Sequence, residues 1–250
     1  MAAYNYSGRF FAFGCSFTAS HNRPTWADLI GREFSEYQNW ARGGMGNQFI
    51  FNQLIEANLR NKFTSDDTVM IMWSSITRED RYLKQKDGWF GQGSVYNTKS
   101  SDWLQENACD RGYLLRDLAV IEAAKDLLTY WNVAYKFLAM MPLVTPTESF
   151  SNKHIGNENQ DIIKLYKQTL SSIKPSVFEV IYKSRDWNYR PSTFDKPVNG
   201  VRDPHPDPKE SLEYIQTVLP DLNLSQDTID YASNFKLGDP APQYYLVDRF

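Results

Sequence analysis

Arg9-Phe10-Phe11-Ala12-Phe13-Gly14-Cys15-Ser16-Phe17-Thr18 is a short apolar run broken by a glycine. The run reads as a buried strand and Gly14 as the start of a tight turn. Pro24 to Phe34 then places Trp26, Leu29, Ile30 and Phe34 at helical spacing, with a proline near the start. The same succession recurs. Tyr37 to Ala41 reads as a second short strand, the glycines of Arg42-Gly43-Gly44-Met45-Gly46-Asn47 as a turn, and Gln48 to Arg60 as a helix. Thr68-Val69-Met70-Ile71-Met72-Trp73 is unbroken apolar sequence, the mark of a strand buried on both faces. Tyr113 to Trp131 carries Leu115, Leu118, Ile121, Ala124, Leu127 and Leu128 on one helical face, and Tyr135 to Met141 reads as a fourth strand stopped by Pro142. Alternating strands and helices predict an α/β, three-layer sandwich with a mostly parallel central sheet flanked by helices.

Two regions depart from this rhythm. Residues from about 77 to 111 are polar, dotted with Tyr82, Trp89, Phe90, Tyr96 and Trp103, and too long for an ordinary connection, so they read as an insertion. From Pro142 onward the pattern weakens to a helix over Asp161 to Ile173, an apolar run Val177 to Tyr182, and a helix from Pro208 to Leu219. A tail of mixed character covers about 221 to 250 and includes Tyr244, Tyr245 and Phe250. The 250 residues fit a single domain, 1–250, with no internal repeat.

Composition excludes several functions. With 27 basic and 30 acidic residues in no long block, the chain lacks the clustered Lys and Arg that nucleic acid requires. Two cysteines, Cys15 and Cys109, make no disulfide framework and no zinc ligand pair. No secretion signal and no membrane-spanning window is evident, which leads us to expect a protein that is cytoplasmic or part of a virus particle. The glycines near Gly44 match neither a Walker loop nor a dinucleotide fingerprint. Asp203, His205 and Asp207 form a conceivable metal cluster, but no further ligand group supports it, so neither metal nor organic cofactor is expected.

The chemistry concentrates in two short stretches. A serine hydroxyl becomes a nucleophile only with a general base in reach and a third group orienting that base. Ser16 follows a strand and a glycine, at the end of a sheet where ligands bind in parallel folds. Far along the chain, Asp203-Pro204-His205-Pro206 holds the only histidine with a close acidic neighbour; His21 and His154 lie in polar loops. The bland alternatives are a turn serine and a histidine that decorates a helix start.

Gly14-Cys15-Ser16-Phe17-Thr18 resembles the first motif of the SGNH (GDSL-type) hydrolases. Further resemblances follow in family order: the Trp-containing helix start Thr25-Trp26-Ala27-Asp28-Leu29-Ile30, an Asn with a following Gly in Asn39 through Gly44, and the C-terminal Asp203-Pro204-His205-Pro206. They span roughly residues 8 to 218. The resemblance implies the family's flavodoxin-like fold, with Ser16 as nucleophile, His205 as base and Asp203 as its orienter. Backbone N–H groups of Ser16 and Gly44 would form an oxyanion hole. Three positions differ from the family pattern: Ser75 stands where a third oxyanion donor, an Asn, is expected; the acid–base spacing is one residue short; and Cys15 precedes the serine, raising a thiol nucleophile as an alternative. Asn47 and Arg78 are candidates to compensate for Ser75 and to contact substrate. Trp89 and Trp103 either pack the insertion or stack on a sugar ring.

The expected activity is hydrolysis of a small acyl ester, such as an O-acetyl group on a carbohydrate, on a small-molecule or glycan substrate. The alternative is a weak or inactive protein of this fold that serves as a binding or structural component, such as the bacteriophage-borne relatives that the Gly-Cys-Ser-Phe-Thr motif resembles, assembling as a homo-oligomer or through the C-terminal tail.

Overall fold

The computed structural model describes residues 5–19, 22–144, 159–182, 205–236 and 239. In chain order the elements are β1 (Arg9–Phe13), α1 (Trp26–Gly31), β2 (Glu36–Asn39), α2 (Asn47–Asn61), β3 (Thr68–Trp73), β4 (Arg78–Leu83), β5 (Gly88–Ser94), α3 (Val95–Thr98), α4 (Ser101–Asn107), α5 (Asp110–Tyr130) and β6 (Ala134–Ala139). They continue with α6 (Gln160–Leu165), α7 (Lys167–Ser171), a π-helical turn Phe178–Tyr182, α8 (Pro208–Val218) and α9 (Gln226–Asn234).

The central sheet has the order β2-β1-β3-β6, and all three pairings are parallel. Side chains alternate across a strand, so β1 sends Phe10 and Ala12 into one core and Phe11 and Phe13 into the other. In β3, Met70 and Met72 oppose Val69, Ile71 and Trp73 in the same way. Both faces are therefore covered, which is why these strands read as continuous apolar runs. α1, α8 and the π-helical turn supply the first core; α2 and α5 supply the second. The α/β arrangement, a parallel central sheet flanked by helices, is as the sequence predicts.

The order places β2 and β3 on opposite sides of β1, so the chain reverses direction across the sheet between β1 and β3. The crevice beyond the carboxyl ends of two such strands is the usual ligand position in this fold class. Ser16 follows β1, and Ser74 and Ser75 follow β3.

The sequence missed structure in two places. The region from about 77 to 111 holds an antiparallel hairpin, β4 with β5, followed by α3 and α4. The hairpin lies on the turn after β2: a Cβ on Gly91 would stand 2.6 Å from the carbonyl carbon and oxygen of Gly44. Only a glycine permits that contact. Gly44 itself has φ +77, the left-handed region that favours glycine. The tail contains α9, started by Ser225, whose side chain accepts from the Thr228 N–H. Tyr244, Tyr245 and Phe250 lie outside the described residues. No helix among the described residues is long and apolar enough to cross a membrane.

Candidate active site

Ser16 stands in the turn that ends β1, closed by hydrogen bonds from Thr18 N and Ala19 N to the Cys15 carbonyl at 3.0 and 2.9 Å. Gly14 is required here, since a Cβ would lie 2.1 Å from Thr18 Oγ1. The Thr18 carbonyl accepts from Thr25 Oγ1 at 2.9 Å and from Asn39 Nδ2 at 2.8 Å, which ties the turn to α1 and to the end of β2. Asp28, 1 % exposed, braces both partners. Its carboxylate accepts from Thr25 N at 2.6 Å, Tyr37 Oη at 2.8 Å and Asn39 Nδ2 at 3.4 Å. The Thr-x-x-Asp spacing of a helix start was the readable signal for this brace.

Cys15 and Ser16 point to different surroundings. The Cys15 side chain is fully buried, with Sγ 3.6 Å from Met140 Sδ, whereas Ser16 is partly exposed on a cavity of about 430 Å³. A thiol packed into the core cannot meet a substrate in that cavity.

His205 lines the same cavity, along with Phe17, Asn22, Arg23 and Ser211. Its ring faces Phe17 with centroids 5.0 Å apart, and its carbonyl accepts from Arg23 Nη2 at 3.3 Å. Downstream, Asp207 caps α8 by accepting from Glu210 N at 2.8 Å, while Glu210 accepts from Asp207 N at 2.9 Å. With Pro208 in the first turn, this capping box fixes the chain two residues beyond the histidine. Asp203 lies outside the described residues, as do His21 and His154.

The remaining candidates are not among the described residues that line this cavity. Asn47 is fully buried at the start of α2. Its Nδ2 donates to the Ser74 carbonyl at 3.1 Å and to Asp117 Oδ2 at 2.7 Å, and its Oδ1 accepts from Ser74 N at 2.7 Å. The residue expected to touch substrate is thus a clamp on the main chain after β3. Asp117, also fully buried, accepts in addition from Arg116 Nε at 2.6 Å, and Arg116 Nη2 reaches the carbonyls of Ile76 and Arg78 at 3.0 Å each. Burial pushes the Asp117 carboxyl up to about 6, against the pull of Arg116 and Asn47.

Ser75, 6 % exposed, turns into its own loop: Oγ lies 2.9 Å from Thr77 Oγ1 and accepts from Thr77 N at 3.3 Å. Arg78 donates from Nη1 to the Met45 carbonyl at 3.0 Å, and its Nη2 lies 3.8 Å from Met140 Sδ. The guanidinium thus stands at the carboxyl end of the sheet, sharing Met140 with Cys15. Asp80 holds the turn that carries Gly44, accepting from Gly46 N at 2.7 Å and Phe49 N at 2.9 Å. Burial raises its carboxyl, and those two N–H groups oppose the rise. Trp89 packs edge-on to Phe49 at 6.0 Å and to Tyr82 at 5.9 Å, and Lys99 Nζ stands 5.2 Å from the Trp103 ring centre. Both indoles rest against the second core, the packing alternative for these aromatics.

Sequence reasoning missed Asn22, Arg23 and Ser211. Nothing local marks them, because their places depend on chain segments far apart in sequence.

No family model matches the chain, and no curated protein matches it. Several solved structures are similar to it. A member of the lipolytic protein G-D-S-L family from Veillonella parvula is 12% identical, covering 86% of this chain and 99% of its own, with a TM-score of 0.47. A GDSL-like lipase from Bacteroides thetaiotaomicron is 14% identical over 89% of this chain and 88% of its own, TM-score 0.43. A mutant acetyl-xylooligosaccharide esterase from Geobacillus stearmophilus is 12% identical over 89% of this chain and 98% of its own, TM-score 0.47. Likenesses this distant leave substrate and chemistry to be argued from the site.

Proposed function

We propose that the chain is a serine esterase that hydrolyses small acyl esters, with Ser16 as nucleophile and His205 as general base. One observation carries this reading: a serine at the end of β1 and a histidine from near the start of α8, remote in sequence, line one cavity. Ser16 Oγ attacks the acyl carbonyl as His205 takes its proton. The imidazolium then protonates the leaving alcohol, and a water activated by the same histidine clears the acyl-enzyme. Asp203 is the proposed orienter of the imidazole, on the motif alone. The N–H groups of Ser16 and Gly44 are the proposed oxyanion donors, with the Arg78 guanidinium as an added positive charge at the carboxyl end of the sheet.

The cavity fits a short acyl group and a polar alcohol. Phe17 and Pro206 offer apolar surface, while Asn22 and Ser211 offer donors and acceptors. An acetylated sugar has that combination. Hydrolysis of p-nitrophenyl acetate and of acetylated xylooligosaccharides is the test. Ser16→Ala and His205→Ala are each expected to lose about 1,000-fold or more in kcat. Wild-type turnover by Ser16→Ala would exclude the mechanism.

A second reading is favoured by Ser75, whose hydroxyl is occupied by Thr77 and supplies no third oxyanion donor. In it the protein keeps the fold with little activity and serves as a binding or structural component. Labelling of Ser16 by a fluorophosphonate separates the two, since an unactivated serine does not react.

A further inference from the structure

We propose that Arg23 is a positioning residue for catalysis, a strut that holds the His205 main chain against the scaffold of the Ser16 turn. The inference rests on the esterase reading above and extends it to a residue outside the reacting groups. Arg23 is 5 % exposed, yet it forms part of the wall of the cavity shared by Ser16 and His205. Buried guanidinium groups are uncommon and need polar partners. One partner here is the carbonyl oxygen of His205, 3.3 Å from Nη2 and 182 positions away in the chain.

Both ends of the strut are anchored. On one side Pro24 restricts the backbone of Arg23 to extended conformations. Thr25 then fixes the segment twice, through its bond to the Thr18 carbonyl of the nucleophile turn and through Asp28 at the start of α1. On the other side the capping box of Asp207 and Glu210 fixes the chain just after His205. Phe17, the neighbour of Ser16, packs against the imidazole at a tilt of 46°. The ring is thereby set by Phe17, the main chain upstream of α8 by Arg23, and the main chain downstream by the cap. Of these contacts, the Arg23 bond is the polar one that joins the base's own residue to the segment bracing the nucleophile. Displacing a catalytic group by about 1 Å costs on the order of 100-fold in rate, so a strut at this point governs turnover without touching substrate.

The experiment compares wild type with Arg23→Gln and Arg23→Lys in steady-state hydrolysis of p-nitrophenyl acetate, with thermal melts to establish the folded fraction. Expected is a kcat lower by about 10- to 100-fold in Arg23→Gln at a KM within about twofold of wild type. Arg23→Lys, which retains a donor of shorter reach, is expected to fall between the two. Wild-type kcat in a folded Arg23→Gln overturns the proposal, as does a change confined to KM, which would make Arg23 a substrate contact. If Arg23→Gln does not fold, Arg23→Lys decides alone: about three- to tenfold lower kcat at unchanged KM supports the strut, and equal kcat overturns it. Ser16→Ala run in parallel keeps the two claims apart. Activity in that variant removes the esterase mechanism, whereas an inactive Ser16→Ala beside a fully active Arg23→Gln removes only the strut.

Discussion

Two polar clusters stand beyond the carboxyl ends of the central strands, one on each side of the sheet. On the α1 and α8 side, Ser16, Asn22, Arg23, His205 and Ser211 open onto a cavity. On the α2 and α5 side, Asn47, Asp117 and the Ser74 backbone form a closed set in which the Asn47 amide and the Asp117 carboxylate are answered by protein groups. Both clusters contain residue types that do chemistry, but in the closed one the Asn47 amide and the Asp117 carboxylate are engaged by protein groups and the Ser74 hydroxyl is buried away from the cavity. A buried, satisfied network fixes a loop; an open one remains available for reaction.

The largest expected change in the closed cluster comes from Asp117→Ala. Removing the carboxylate leaves the buried Asn47 amide and the half-buried Arg116 guanidinium without it and should cost about 3 kcal/mol, read by urea denaturation. Survival of wild-type stability would break the contrast between the two sides. Asn47→Ala comes next, at about 1–3 kcal/mol, because Ser74 N, Ser74 O and Asp117 each lose a partner. A residue that contacts substrate would raise KM with little loss of stability, so melting temperature against KM in this variant separates anchor from ligand contact.

The gentlest test is of pH. The folded protein holds the Asp117 carboxyl at about 6, above the ordinary 3.8 of an aspartate, so folding favours the protonated form. This component of stability is complete below about pH 4 and is lost as pH rises through about 6. Denaturation midpoints across that window should show the slope in wild type and lack it in Asp117→Asn.

Much of the fold was legible because β1 and β3 are buried on both faces, which leaves no polar residue to interrupt them. The hairpin was not. Arg78, Glu79, Asp80 and Arg81 make β4 look like solvated loop, and Gly91 is needed by the backbone of Gly44, a demand that local sequence does not display. The division of the helix before Lys167 and the π-helical turn at Phe178 also escaped the sequence reading. At the site, Ser16 and His205 announced themselves by a glycine turn and by a neighbouring Asp and Pro. Asn47 carried the right residue type for substrate contact, but an Asp117 seventy positions on claims its amide. Arg23 gave no sign, since one of its partners, the His205 carbonyl, is a main-chain oxygen that any residue possesses.

The hairpin's fastening has a practical corollary. It is pinned near its base, through Asp80 on the start of α2 and Gly91 on Gly44, while Lys84, Gln85, Lys86 and Asp87 at its far end are exposed. Foreign sequence spliced between Gln85 and Lys86 would thus hang from the rim, making that tip the natural handle for a fluorophore or affinity label.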